Sequence, residues 1–308
     1  MNKISVIIPC YYNELNIEPT TIKLLEVEKM FDDATFEFVM IDDGSKDNTW
    51  NKLKYFKEQH PENVIIVKLA GNVGSYNAIQ AGMKYATGDV NVLISADLQD
   101  PPELIYTMFQ HWKKGIKFIV ANRINRKESF FSKLFSNTFH SLMQKYALPN
   151  IPKGGFDFVM FDKLLRDEAV KIDERNAHSI YLLAWMNFEM VCIPYERKER
   201  EIGTSRWTVK KKIKLLIDSF VGFSYAPIKL ISSIGFILGL VALIYAVVII
   251  YQKIVGEIPI EGWSSMMLII LFVSSFQMIA LGIIGEYVWR TLDASRKRPN
   301  YIVETIMK

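Results

Sequence analysis

Hydrophobic positions along the chain follow two regimes. Over residues 1–122, short apolar runs rich in Val, Ile and Phe fall at 4–8, 36–41, 64–67, 90–94 and 118–120. They alternate with segments at helical spacing near 14–30, 47–59, 74–86 and 101–114. This alternation predicts an α/β domain with a doubly wound, mostly parallel sheet. Near the other end, residues 231–251 and 262–285 form runs of 21 and 24 residues with neither charge nor proline. As a helix, the shorter run spans about 31 Å, the thickness of a bilayer core. Between the two regimes, Phe131, Phe135, Phe139, Leu142 and Tyr146 recur at helical spacing beside Lys133 and Lys145. That segment (128–147) and the basic stretch 207–225 read as amphipathic helices of the headgroup plane.

The flanks set an orientation. Lys210, Lys211, Lys212, Lys214 and Lys229 precede the first apolar run, and Arg290, Arg296, Lys297 and Arg298 follow the second. The loop between them carries one basic residue, Lys253. An excess of cations inside puts both termini in the cytoplasm and the hairpin loop outside. The expected organisation is a cytoplasmic domain (1–205), a basic juxtamembrane helix (206–228), two transmembrane helices (about 229–251 and 263–287, within 229–290) and a cytoplasmic tail (291–308). This makes a two-span protein of the inner membrane.

Composition narrows the chemistry. The 308 residues are 50% hydrophobic, and the mean hydropathy of +0.12 is explained by the two apolar runs. A net charge of +4 is too mild to imply a nucleic-acid partner. Two cysteines, Cys10 and Cys192, build neither a disulfide framework nor a four-cysteine zinc site. His60, His111, His140 and His178 show no metal spacing. Neither a GxxxxGKS loop nor a GxGxxG fingerprint is present.

Ligands of doubly wound sheets bind at the carboxyl ends of strands. Following the first run is PCYYNE (9–14), following the second is DDGS (42–45), and following the fourth is SADLQDPPE (95–103). Acidic groups therefore gather on one edge. Such an edge can hold a diphosphate when a hard divalent cation sits between them.

These motifs, with Asn72-x-Gly74 and Gly88-Asp89, resemble family 2 glycosyltransferases of the GT-A fold. With the C-terminal anchor, the whole chain resembles the polyprenyl-phosphate glycosyltransferases, such as bactoprenol glucosyltransferases and dolichyl-phosphate mannose synthase. The resemblance implies inverting transfer of one hexose from a nucleotide sugar, UDP-glucose by preference, to undecaprenyl phosphate. The product is a lipid-linked sugar for surface glycans such as O-antigen of lipopolysaccharide. It assigns nucleotide binding to Pro9, Tyr11, Glu14, Asp42, Asn72 and Ser95. Asp97, with Gln99, takes Mg²⁺ or Mn²⁺. The chain departs from the family's D-x-D at the first position, which is Ser95. Asp157 matches the acceptor-side acid, either a base or a positioner. Arg123, Arg126, Arg197, Arg200, Ser205 and Arg206 match phosphate and acceptor contacts, for which guanidinium forks are suited. The oligomeric state stays open, with a homo-tetramer as the candidate. Two rivals are carried: a processive polysaccharide synthase, which would need more spans and a Q-x-x-R-W element, and a catalytically dead membrane scaffold.

Overall fold

The computed structural model describes residues 1–124, 130–152, 156–174, 178–198, 209–255 and 262–308. Eight strands form one sheet in the order β7-β5-β6-β4-β1-β2-β3-β8. The strands are β1 (Asn2–Cys10), β2 (Ala34–Asp42), β3 (Val64–Leu69), β4 (Val90–Leu93), β5 (Phe118–Ile124), β6 (Phe158–Asp162), β7 (Met190–Glu196) and β8 (Val303–Met307). The helices of the same unit are α1 (Ile17–Glu28), α2 (Thr49–Gln59), α3 (Ser75–Tyr85), α4 (Leu104–Lys113), α5 (Phe130–Tyr146), α6 (Lys163–Lys171), α7 (Ser179–Trp185) and most of α8 (Val209–Phe223).

The five strands expected from the apolar runs are β1 to β5. Their central members are apolar on both faces because helices cover both faces. Ile4, Val6, Ile7 and Ile8 of β1 and Phe38, Val39, Met40 and Ile41 of β2 are all essentially inaccessible to water. Helix α3 lies so close to this layer that a Cβ on Gly82 would sit 2.5 Å from Ile7 Cγ2. Below the sheet, Glu37 is buried yet fully engaged. It accepts from Lys3 Nζ, Ser5 Oγ, Thr87 N and Thr87 Oγ1.

Strands β1 to β4 pair in parallel, and the order reverses between β1 and β4. That switch point opens the crevice for ligands at the carboxyl ends. Three strands join the expected five. β6 inserts antiparallel between β4 and β5, and β7 extends the sheet parallel to β5. β8 lies antiparallel on β3. The 291–308 segment, expected as a tail, thus contains a strand of the sheet. It is tied by Ala70 N to Ile302 O (2.9 Å) and by Lys68 to Glu304 (2.9 Å).

A second compact unit, Phe220–Lys297, holds α9 (Ala226–Val255) and α10 (Trp263–Ser295). Both are long and apolar enough to cross a membrane, over Ala226–Ile249 and Phe272–Ser295. Ser224 Oγ accepts from Ala226 N at the start of α9, and Tyr287 of α10 donates to Ser224 O.

Candidate active site

The loop after β1 is held in an uncommon shape. Tyr12 has φ +55°, and its N–H donates to Ser45 Oγ at 2.9 Å. Tyr11 N donates to Asn13 Oδ1 and Asn13 N to Thr49 Oγ1, so the loops after β1 and β2 are stitched together. Pro9 and Tyr11 are half-buried along this seam. The Glu14 carboxylate accepts from Asn48 N (2.9 Å), at the start of α2.

Asp42 closes β2 beside Cys10 of β1. It is fully buried, its Oδ1 accepts from Ser45 N (3.0 Å), and its Oδ2 has no hydrogen-bond partner. Burial pushes its carboxyl above the usual range, despite the Ser45 bonds and the nearby Lys68. Buried acceptors of this kind are uncommon in folded proteins.

Asp43 does more than turn the chain. Its carboxylate accepts from Asn72 Nδ2, Val73 N and Gly74 N, fixing the 72–74 loop. Burial outweighs those bonds and pushes its carboxyl up to about 6. The Asn72 side chain is therefore committed to Asp43. Gly44 makes this possible: its φ is +68°, and a Cβ there would lie 2.6 Å from the Gly71 carbonyl carbon.

Beyond β4, Leu98 also has positive φ (+54°), and Thr20 of α1 donates to Ala96 O (3.0 Å). Asp97 Oδ1 accepts from Ser95 Oγ (2.6 Å) and Gln99 N (3.3 Å). Gln99 grips the other wall, its O accepting from Lys198 N and its Nε2 donating to Lys198 O. Ser95 Oγ also lies 3.2 Å from Asp100 Oδ2. Among the described residues no three His, Cys, Asp or Glu side chains are grouped to hold a metal ion. Asp97 and Gln99 could supply two oxygen ligands. A cation here would fit by drawing the rest of its shell from donor phosphates and water.

The acceptor-side acid is paired. Arg123 Nη2 forms a short ion pair with Asp157 Oδ2, and Arg123 Nε donates to Tyr195 Oη at 3.2 Å. Tyr195 stands opposite Arg123 in the β5–β7 ladder and donates to Asp100. Arg197 Nε lies 3.3 Å from Asp100 Oδ1, out of line for a hydrogen bond. Partial loss of water would raise the Asp157 carboxyl, whose side chain stays half-exposed. The Arg123 guanidinium, then Arg197 and His178, more than offset this and hold it at about 2. His178 is stacked between Tyr76 and Tyr181, with centroids 3.8 and 3.9 Å away. Burial pushes its imidazole down to about 3, so it is neutral.

The structure places Asp42, Ser95, Asp97, Gln99, Arg123, Asp157 and Arg197 at one end of the sheet. Arg126, Arg200, Ser205 and Arg206 lie outside the described residues. Sequence reasoning missed Tyr195 and the buried Asp100. The signal for Tyr195 was the alternation Val191, Ile193, Tyr195 against Cys192, Pro194, Glu196.

A mixed, mostly parallel sheet with helices on both faces is the architecture of the GT-A fold. A family model described as glycosyl transferase family 2 matches residues 5–172, and the chain belongs to that family. It is 36% identical to the uncharacterized glycosyltransferase YkcC of Bacillus subtilis, over 97% of this chain and 93% of the relative. It is 30% identical to a prophage bactoprenol glucosyl transferase homolog of Escherichia coli, over 99% of this chain and 100% of the relative. Among solved structures, a mannosyltransferase of Pyrobaculum calidifontis in complex with GDP-Man and Mn²⁺ shares the fold. Its TM-score is 0.50 at 17% identity, over 94% of this chain and 87% of that one.

Proposed function

We propose that this glycosyltransferase moves one hexose, glucose by preference, from a UDP-sugar to a polyprenyl phosphate at the cytoplasmic face of the inner membrane, with inversion. The observation that carries the reading is the juxtaposition, on one sheet edge, of an unpartnered buried acceptor (Asp42 Oδ2), a carboxylate loop (Asp97) and a guanidinium–carboxylate pair (Arg123–Asp157). The first suits a nucleobase N–H, the second a cation-bound diphosphate, the third an anionic acceptor. Near full-length likeness to a bactoprenol glucosyl transferase homolog supports the lipid acceptor.

In this reading an acceptor phosphate oxygen attacks the anomeric carbon as the bond to the diphosphate oxygen breaks in line. The new bond is C1–O–P, and UDP leaves with the electron pair. A divalent cation, when bound beside Asp97, supplies charge neutralisation for the leaving group. Arg197, and the Arg123 end of its pair, add fixed positive charge. Asp157, held far below neutrality, orients the acceptor and does not take its proton. A phosphate monoester is already largely dianionic at pH 7.

The topology supports the orientation. The return of β8 to β3 is consistent with α9 and α10 crossing as a hairpin whose two ends share one side. In α5, Phe139 and Met143 are buried while Leu142 and Tyr146 are exposed, leaving an apolar face for headgroups. The decisive experiment incubates the purified protein with undecaprenyl phosphate, Mn²⁺ and a panel of UDP- and GDP-sugars, with mass detection of the lipid product. A glycosyl-phosphoprenol is expected. Its absence with every donor, alongside nucleotide-induced stabilisation, would favour the dead-scaffold reading that Ser95 suggests.

A further inference from the structure

The two ends of the active edge are joined by a relay of side chains. From the acceptor side, Asp157 pairs with Arg123, Arg123 Nε donates to Tyr195 Oη, and Tyr195 donates to Asp100. Asp100 then reaches Ser95 Oγ (3.2 Å), and Ser95 donates to Asp97 (2.6 Å). Asp100 is completely buried and Tyr195 is 5% exposed. A carboxylate is rarely taken fully out of water unless its bonds are made. Here Tyr195 donates to it, the Arg197 guanidinium stands 3.3 Å away as its counter-charge, and Ser95 Oγ lies at 3.2 Å, all belonging to the site.

The single hydroxyl proton of Tyr195 is given to Asp100, so its oxygen is left as the acceptor for Arg123. That fixes both the position of Arg123 and the direction in which its remaining N–H groups point. An Arg side chain free of such an anchor samples many rotamers, and loss of that order is felt in the barrier more than in binding. The Phe158 ring meets Tyr195 edge-on at 6.4 Å and Tyr195 lies in the β5–β7 ladder, so the phenol is held on rigid elements.

We propose that Tyr195, anchored on buried Asp100, is the positioning residue that holds Arg123 in register with Asp157 for the acceptor. The proposal rests on the transfer reaction given above. A companion consequence concerns Ser95. An acid at 95 would put a second carboxylate within about hydrogen-bond distance of Asp100, so a hydroxyl suits this position.

The test is a double-mutant cycle on the full-length protein in detergent, read as kcat and KM for both substrates. Tyr195→Phe is expected to lower kcat at least about tenfold while leaving UDP affinity within about twofold. If Tyr195 acts through the Arg123–Asp157 pair, Tyr195→Phe added to Asp157→Asn costs no more than about twofold beyond Asp157→Asn alone. Added to Asp42→Asn, its cost multiplies in full. A general loss of structure would multiply in both backgrounds and raise the UDP Kd. Full multiplication with Asp157→Asn, or a wild-type kcat in Tyr195→Phe, overturns the proposal. Should Tyr195→Phe melt below the assay temperature, Asp100→Asn carries the same cycle, since it keeps an acceptor for the phenol but weakens the anchor. Wild-type protein without transferase activity would instead defeat the functional reading on which this rests.

Discussion

Asp42→Asn separates binding from folding. The variant keeps shape, and its Oδ1 can still accept from Ser45 N, as in the wild type at 3.0 Å. What changes is the atom in place of Oδ2, which is buried and unpartnered. In the proposed complex that oxygen accepts an imide N–H of the base; in the variant an amide N–H faces another donor. Losing a charge-assisted hydrogen bond costs about 1.5–3 kcal/mol, or roughly 10- to 150-fold in Kd. The fold should not suffer. Burial raises the Asp42 carboxyl, so its charged form weighs against the folded state. Its contribution is complete only below the ordinary carboxylate range and is lost as pH rises through the raised value. At pH 7 an uncharged Asn escapes that loss, and Tm should hold or rise. Calorimetric titration of UDP with thermal melts in parallel reads both quantities. An unchanged Kd would remove Asp42 from the nucleotide site, and a collapsed Tm would mean that its charge is structural.

Three further expectations follow the same logic. Asp157→Asn should lower kcat by about 10² (~2.7 kcal/mol), evenly from about pH 6 to 8.5, because a carboxyl held at about 2 is a poor base; a defect that fades at high pH would restore the base. Gly44→Ala should lose more stability than Gly74→Ala: both have positive φ (+68° and +90°), worth ~1–2 kcal/mol each, but only Gly44 would drive a Cβ into Gly71, and equal Tm losses would refute this. Glu37→Gln should cost ~1–3 kcal/mol at neutral pH. Burial acts to raise the Glu37 carboxyl, but its bonds to Lys3, Ser5 and Thr87 hold it low, so this stability exists above the usual carboxylate range and disappears as pH falls through the lowered value; acid-melting curves of wild type and variant should therefore converge at low pH.

Much of the fold was legible because β1 to β5 are continuous apolar runs, and the residues behind them, Asp42 and Asp97, had to fall on one edge. β6 was hidden because a short apolar segment, 158–161, does not reveal its partner or direction. β8 was hidden because 303–307, Val-Glu-Thr-Ile-Met, is short, shows no clean alternation and lies far in sequence from its partner β3. Asp100 precedes α4, which begins at Leu104, and accepts from Tyr195 with Ser95 Oγ close by. Such a role depends on a contact nearly a hundred residues away, which no local pattern encodes. The three bonds of Asp43 likewise reach across to 72–74.

The returning strand has a consequence for how the protein is made. In chain order, residues 1–219 are synthesised before the two apolar helices, and β8 after them. Until then β3 presents an open edge of unpaired N–H and C=O groups, the condition that invites association with other chains. Completion of the sheet is thus deferred until the two apolar helices have been translated, and, in the proposed membrane-bound form, the last step of folding follows their insertion. A version cut off after residue 225 lacks the closing strand and should aggregate, whereas excision of Phe220–Lys297 with a flexible joiner retains it. Size-exclusion chromatography of the two forms would distinguish them, with a soluble monomer expected from excision alone.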